Sequence, residues 1–175
     1  MARLQKTELK PQIRWLIRRD MDEVLEIENR SFEFPWTDSD FLVCLKQRNC
    51  IGTVYESSQQ LIHGFMLYEL HKDRLRILNM AVAHEVRRTG VGRAMVQRLM
   101  DKLSHQRRHT IEAEVRETNV VAQSFLSGAG FRAVKVLRKH YDDTNEDAYL
   151  FRHTLPVNEM QFVRNGSNRI SEYCE

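Results

Sequence analysis

Apolar positions along the chain fall into two rhythms. Short runs and period-two alternation predict strands over residues 12–18, 50–56, 61–70, 74–83, 110–116, 131–138 and 148–155. Between them the spacing becomes helical. Met21, Val24 and Leu25 share a face behind Asp20, and Glu23 follows Asp20 in an Asp-type capping box, predicting a helix to about residue 30. Thr37 with Asp40 caps a second helix through about residue 46. Val91, Met95, Leu99 and Leu103 recur every fourth position, with Arg93, Gln97, Arg98 and Lys102 on other faces, predicting a helix over 91–103. Val121, Ala122, Phe125, Leu126 and Ala129 make the stripe of a last helix over 119–129, which Gly130 stops in a left-handed conformation.

The closely spaced turns between 50 and 83 predict an antiparallel meander. The whole order predicts a mixed α/β protein with a central sheet. Phe34-Pro35-Trp36 breaks the chain between the first two helices, because Pro35 biases Phe34 away from helical backbone. Residues 139–147, with His140 and Tyr141, read as a polar loop joining the last two strands. Residues 1–10 are polar, and from Pro156 the pattern dissolves. The expected organisation is one domain over 1–155 and a C-terminal tail or extension over 156–175.

Composition changes little in this picture. Lys plus Arg is 27 against 24 for Asp plus Glu, a formal net charge of +3. That balance, with the basic pairs scattered, does not point to nucleic acid as a partner. No apolar run suits a bilayer or a secretory signal, so a cytoplasmic protein without membrane attachment is expected. Cys44, Cys50 and Cys174 are odd in number and lack CxxC spacing, and His63, His71, His84, His105, His109 and His153 show no ligand spacing. Reduced thiols and no metal are expected.

The chemistry is concentrated in residues 79–94, the end of a strand, a short loop and the start of a helix. A first helical turn presents amides with no partner inside the helix, and its dipole favours anions. Gly90 and Gly92 remove side chains that would hold a diphosphate away, and Arg87, Arg88 and Arg93 add cationic donors.

Asn79-Met80-Ala81-Val82 followed by Arg87-Arg88-Thr89-Gly90-Val91-Gly92 resembles the acetyl-CoA-binding motif of the GCN5-related N-acetyltransferases (GNAT), Arg/Gln-x-x-Gly-x-Gly/Ala. Phe34-Pro35-Trp36, Ala113-Glu114-Val115-Arg116 with Asn119, Gly130-Phe131, and Tyr141 before an acidic stretch resemble the ribosomal-protein-alanine (RimI-like) branch. The likeness runs from about Ile13 to Leu155. It implies the α/β GNAT fold, a central mixed, mostly antiparallel sheet of about seven strands flanked by about four helices.

The resemblance also implies the site. Acetyl-CoA is the donor. Its pyrophosphate rests on the cradle of Arg87, Arg88, Thr89, Gly90, Val91, Gly92 and Arg93. Its pantetheine arm runs beside Met80, Ala81 and Val82, with Asn119 on the other side. Glu114 matches the proton acceptor. On residue type alone it reads first as a solvated strand carboxylate or a partner of Arg116, with Glu112 and Glu33 as rivals for the base. Tyr141 closes over the acceptor or packs on the domain edge, and Phe34 and Trp36 line the acceptor groove or pin the corner. The sequence departs from the pattern at Leu126, where the family carries a tyrosine proton donor. The thiolate then leaves unaided, or Tyr141 or His140 donates, or catalysis is lost.

The implied activity is transfer of acetyl to a protein N-terminal α-amine by direct attack in a ternary complex, with a ribosomal protein as one candidate partner. The alternatives are a lysine, polyamine or aminoglycoside acceptor, or a non-catalytic acyl-CoA-binding module. The expected state is a monomer or homodimer.

Overall fold

The computed structural model describes residues 10–156. The expectations for 1–9 and 157–175, and Cys174 with them, lie outside the described residues. Seven strands, β1 (Gln12–Trp15), β2 (Cys50–Glu56), β3 (Ile62–Leu70), β4 (Arg74–Val82), β5 (Thr110–Arg116), β6 (Arg132–Tyr141) and β7 (Glu146–Thr154), form one sheet in the order β1-β2-β3-β4-β5-β7-β6. The helices are α1 (Met21–Ser31), α2 (Asp38–Leu45), α3 (Val91–Met100) and α4 (Val120–Gly128). All pairings are antiparallel except β4 with β5, which α3 joins as a crossover.

Each face of the sheet carries its own apolar core. Met95, Val96 and Leu99 of α3 and Leu126 of α4 cover Ile77, Ile111, Ala113, Val115 and Phe151. Met21, Val24 and Ile27 of α1, with Phe41 and Cys44 of α2, cover Val54, Phe65, Leu67 and Ala81 on the other face. One irregularity decides which residues go where. The β3–β4 register passes from Tyr68↔Ile77 to Leu67↔Asn79, so Leu78 is an extra residue in β4. Because side chains alternate with period two, one inserted residue exchanges the faces of everything beyond it. Leu75 and Ile77 therefore face α3 and α4, whereas past the bulge Ala81 faces α1 and α2, and Met80 and Val82 join the α3–α4 side.

Several expected boundaries move, each for a local reason. The first strand stops at Trp15, and Arg18–Asp20 coils into a 3-10 turn. Asp20 does not cap α1 with its side chain. Its carboxylate instead accepts from the Ile17 amide at 2.9 Å and from Arg14 at 2.6 and 2.9 Å. The matching carboxylate of Glu23 accepts from the Ile62 amide at 2.8 Å, tying α1 to β3. The Thr37–Asp40 capping box is present. Helix α3 ends at Met100 rather than 103, although Leu103 still packs on the core. Asn119 precedes α4, its Oδ1 accepting from the Ala122 amide at 3.0 Å.

The largest correction concerns 139–147. This is not a loop: β6 runs through Tyr141 and β7 begins at Glu146, leaving a short turn between them. Asp147 organises the ladder's irregular end by accepting from the Lys139 amide at 2.8 Å and pairing with Arg138. His140 and Tyr141 therefore stand on the edge strand, separated from β5 by β7.

Candidate active site

The parallel β4–β5 ladder is short. It pairs Arg74–Ile77 with Thr110–Ala113 and then stops, while β4 continues along β3 and β5 continues along β7. The two strands therefore part beyond Ile77 and Ala113. Met80, Ala81 and Val82 line one side of the gap, and Glu114 and Arg116 the other. Backbone groups turned into such a gap have no strand partner.

The turn that follows β4 builds the anion cradle. His84–Val86 forms a 3-10 turn, and Thr89 Oγ1 donates to the Val86 carbonyl at 2.7 Å. Arg88 and Gly90 both have positive φ, 67° and 100°. Alternating hand along a turn aims successive amides into one concavity. Among the described residues, the amides of Arg88, Thr89, Gly90, Val91, Gly92 and Arg93 donate to no protein acceptor, and the first bond of the helix is Ala94 N to Gly90 O at 2.9 Å. That is a donor set suited to a diphosphate.

The glycines differ in their reasons. Gly90 is needed for its φ, with open space where a Cβ would stand. A Cβ on Gly92 would meet the Phe125 ring at 3.3 Å, so that glycine permits close packing of α3 on α4. Arg87 turns inward and braces the end of β4, with Nε donating to the Val82 carbonyl at 3.0 Å and Nη2 to Ser31 Oγ at 3.0 Å. Arg93 Nη2 lies 3.5 Å from the Gly128 carbonyl.

Glu112, Glu114 and Arg116 alternate with Ile111, Ala113 and Val115 along β5, so they share the face occupied by α1 and α2. Glu112 is consumed by two arginines, Arg74 at 3.1 Å and Arg152 at 2.7 Å. Glu114 is engaged on one oxygen only. Its Oε2 accepts from Arg76 Nη2 at 2.8 Å and stands 2.9 Å from His140 Nε2, and its side chain is 21 % exposed. Arg116 does not pair with Glu114. It pairs with Asp143 at 2.6 Å and Glu146 at 3.1 Å, and its guanidinium lies 3.8 Å from the Tyr141 ring centroid and 5.2 Å from that of Phe34. Burial raises the Tyr141 hydroxyl above its ordinary pKa, although Arg116 pulls the other way, so this phenol is a neutral group at physiological pH.

The aromatic corner divides its work. Phe34 is 48 % exposed beside Arg116 and Tyr141, where it can line a groove. Trp36 pins the corner, edge-on to Phe41 at 5.5 Å. Glu33 has no contact that brings it to Glu114. Glu28, which sequence reasoning missed, anchors the corner from beneath: it is buried, accepting from the Trp36 amide at 2.8 Å and from Asn79 Nδ2 at 3.0 Å. Burial raises its pKa against the pull of those two bonds. A signal for it existed, because Glu28 falls one turn after Val24 on the apolar stripe of α1. Leu126 is buried in the α3–α4 core and offers no proton.

Two features stand apart. Cys44 and Cys50, unpaired by spacing, meet in the α1–α2 core with their sulfurs 2.8 Å apart, and burial raises both thiols. A separate hollow of about 270 Å³ lies between α1 and the ends of β3 and β4, bordered by Glu23, Arg30, His63, His84 and Glu85. Among the described residues, no cluster of three or more His, Cys, Asp or Glu could hold a metal ion, and no helix is long and apolar enough to cross a membrane.

Comparison with known proteins agrees with this geometry. The model of the acetyltransferase (GNAT) family matches residues 11–131. The [ribosomal protein bS18]-alanine N-acetyltransferase of Escherichia coli K12 is 27 % identical over 79 % of this chain and 92 % of its own. An uncharacterized N-acetyltransferase of Methanocaldococcus jannaschii is 33 % identical over 79 % of this chain and 88 % of its own. Among solved structures, the E. coli ribosomal-protein-S18-alanine N-acetyltransferase superposes with a TM-score of 0.72 at 25 % identity, covering 83 % of this chain and 94 % of that one. Ard1 from Thermoplasma volcanium gives 0.74 at 25 % identity, over 83 % and 98 %. The family match takes in the gap, the cradle and the aromatic corner together, and the chain belongs to the GNAT family of acetyltransferases.

Proposed function

We propose that this N-acetyltransferase uses acetyl-CoA to acetylate the N-terminal α-amine of a protein. The observation that carries the reading is the two-sided gap between β4 and β5. On the α3 side, free amides at 88–93 suit the diphosphate of the donor. On the α1–α2 side, Phe34, Arg116, Tyr141, Glu114 and His140 converge, and Glu114 is engaged on one oxygen where Glu112 is taken up by two arginines. Donor and acceptor then meet where the strands part, with Met80, Ala81 and Val82 along the donor arm and Asn119, whose Oδ1 is used by α4, presenting its Nδ2 from the other side. The relatives named for ribosomal-protein alanine support an N-terminal acceptor, and a ribosomal protein is one candidate.

The chemistry fits such an acceptor. An α-amine has a pKa of about 7.7–8.0 against about 10.4 for lysine, so it needs little help to lose its proton near neutrality. Glu114 supplies the negative charge of the proton-acceptor site. We place the activity in the cytoplasm and in a single domain over 1–155, with 156–175 as an extension.

The test incubates the full chain with acetyl-CoA and either peptides with free N-termini or lysine side chains, polyamines and an aminoglycoside. Acetylation of the peptide α-amine is expected. Turnover on small amines alone would replace this reading with the small-molecule one. Glu114→Gln is expected to lower kcat/KM by about 10²–10⁴-fold, the usual scale for an acid–base group.

A further inference from the structure

We propose that His140 is a catalytic residue of this enzyme: its Nδ1 takes the proton from the acceptor amine and returns it to the departing coenzyme A thiolate, while Glu114 and Arg76 hold the ring. The proposal rests on the acetyltransferase reading above and deepens it.

Two observations meet here. The first is that Leu126 is buried in the α3–α4 core and offers no proton to a leaving group. The second is the contact around Glu114. Its Oε2 already accepts from Arg76 Nη2 at 2.8 Å, and His140 Nε2 stands 2.9 Å from the same oxygen. Two lone pairs at that separation would repel. A guanidinium cannot receive a proton, so Oε2 is an acceptor and Nε2 is the ring nitrogen turned to it, which leaves Nδ1 as the nitrogen that can act as base in the neutral ring. Nδ1 makes no hydrogen bond with any described residue, and the ring is 33 % exposed. A base oriented by a carboxylate that is itself clamped is the arrangement of an activated acid–base group.

His140 is also held sterically. Tyr141 meets it edge-on at 5.0 Å between centroids, and Tyr141 is covered by Arg116. The groups facing the ring are Glu114 on β5, Arg76 reaching across from β4 and Tyr141 beside it on β6. Arg116 lies beyond Tyr141, neutralised by Asp143 and Glu146.

The step balances. The amine nitrogen attacks the thioester carbonyl and a C–N bond forms. Nδ1 accepts one proton from that nitrogen, and the imidazolium is compensated by Glu114. The C–S bond breaks, and the Nδ1 proton passes to sulfur, leaving an amide, a free thiol and His140 as it began. One atom thus performs the base step and the donor step that Leu126 cannot.

The experiment measures kcat/KM across pH for the full chain and for His140→Phe, Glu114→Gln and the double variant, using acetyl-CoA and a peptide beginning with alanine. Calorimetry with acetyl-CoA checks each variant's fold. The expected result for His140→Phe is a loss of about 10²-fold or more, with the acid limb of the profile reduced from two ionisations, the ring's and the acceptor amine's, to the amine's alone, and acetyl-CoA affinity unchanged. The double variant should be no worse than the poorer single one, as for residues acting as a unit. If His140→Phe does not bind acetyl-CoA, His140→Gln is read in its place. Retention of the wild-type acid limb overturns the proposal, whether the rate is high or low, because a packing role scales the rate without moving the profile. Turnover by the wild type on small amines only overturns the N-terminal reading, and the variants are then compared on that amine. A wild type that binds acetyl-CoA and acetylates no amine overturns both.

Discussion

Glu28 shows how a single side chain carries an acceptor corner from below. It lies on the buried stripe of α1, yet it is a carboxylate whose one oxygen receives both the Trp36 amide and the Asn79 side chain, while Oε2 is buried without a partner among the described residues. Glu28→Gln keeps an acceptor oxygen at the same place and is expected to fold normally. Glu28→Ala leaves the buried Asn79 carboxamide and the half-buried Trp36 amide unanswered, which costs about 1–3 kcal/mol for a fully buried group. It should also raise KM for the peptide more than for acetyl-CoA, because the loosened residues 34–36 touch the acceptor side. Urea unfolding and separate titration of the two substrates check both statements. Equal rises in the two KM values would show that the corner does not serve the acceptor specifically.

At the scale of elements, two turns determine what the helices present. The loop into α3 needs Gly90 at φ 100°, a region in which an L side chain is strained. Gly90→Ala is expected to destabilise the fold by about 1–2 kcal/mol and to weaken acetyl-CoA binding, since the strain acts on the amides that form the cradle. Calorimetry and thermal unfolding measure the two effects, and unchanged affinity would remove residue 90 from the cradle. The end of α4 is a Schellman motif. Phe131 N donates to Leu126 O and Gly130 N to Ser127 O, both at 3.0 Å, with Gly130 at φ 88°. Leu126 and Phe131 then pack together in the core, as the flanking apolar pair of such a motif does. Leu126→Ala should therefore cost about 2–5 kcal/mol of stability, the range for a buried leucine, with little change in the pH profile. Both turns were legible from Gly90 and Gly130. The exchange of faces at Leu78 was not, because a bulge adds a residue without altering the run of apolar positions.

Across the whole molecule, charge ties the edge of the sheet to α1. Arg14 of β1 joins Asp20 at 2.6 Å and Glu56 of β2 at 2.8 Å. Burial opposes the charge on Asp20, but Arg14 and the Ile17 amide hold its pKa below the ordinary value. Hydrogen bonds from Arg14 and Gln12 bring Glu56 down to about 2. Both folded pKa values are depressed, so these carboxylates stabilise the fold above their unfolded values of about 3.9 and 4.3, and that contribution is lost as pH falls toward about 2. The melting temperature should accordingly fall between pH 5 and pH 2. In Glu56→Gln it should start lower and fall less steeply. A parallel fall in the two proteins would show that Glu56 plays no part.

Local pattern determined most of the elements and the anion cradle, and the resemblance of that stretch to the family's motif named the donor. Strand and helix periodicity, the Thr37–Asp40 cap, and glycines at a strand-to-helix turn are all written within a few residues of one another, and their physics is local. The acceptor side was decided only by tertiary structure. Whether Glu114 pairs with Arg116 or with Arg76 and His140 depends on the registers of β4 on β5 and of β5 on β7, which join residues dozens of positions apart, and on the β6–β7 hairpin that carries His140. The β6–β7 pairing turned an expected loop into the strand that carries His140 and Tyr141, and the packing of the α1–α2 corner brought Phe34 to Arg116. Long-range pairing is set by which faces can be buried together across the sheet, and that is a property of the assembled layers rather than of any one segment.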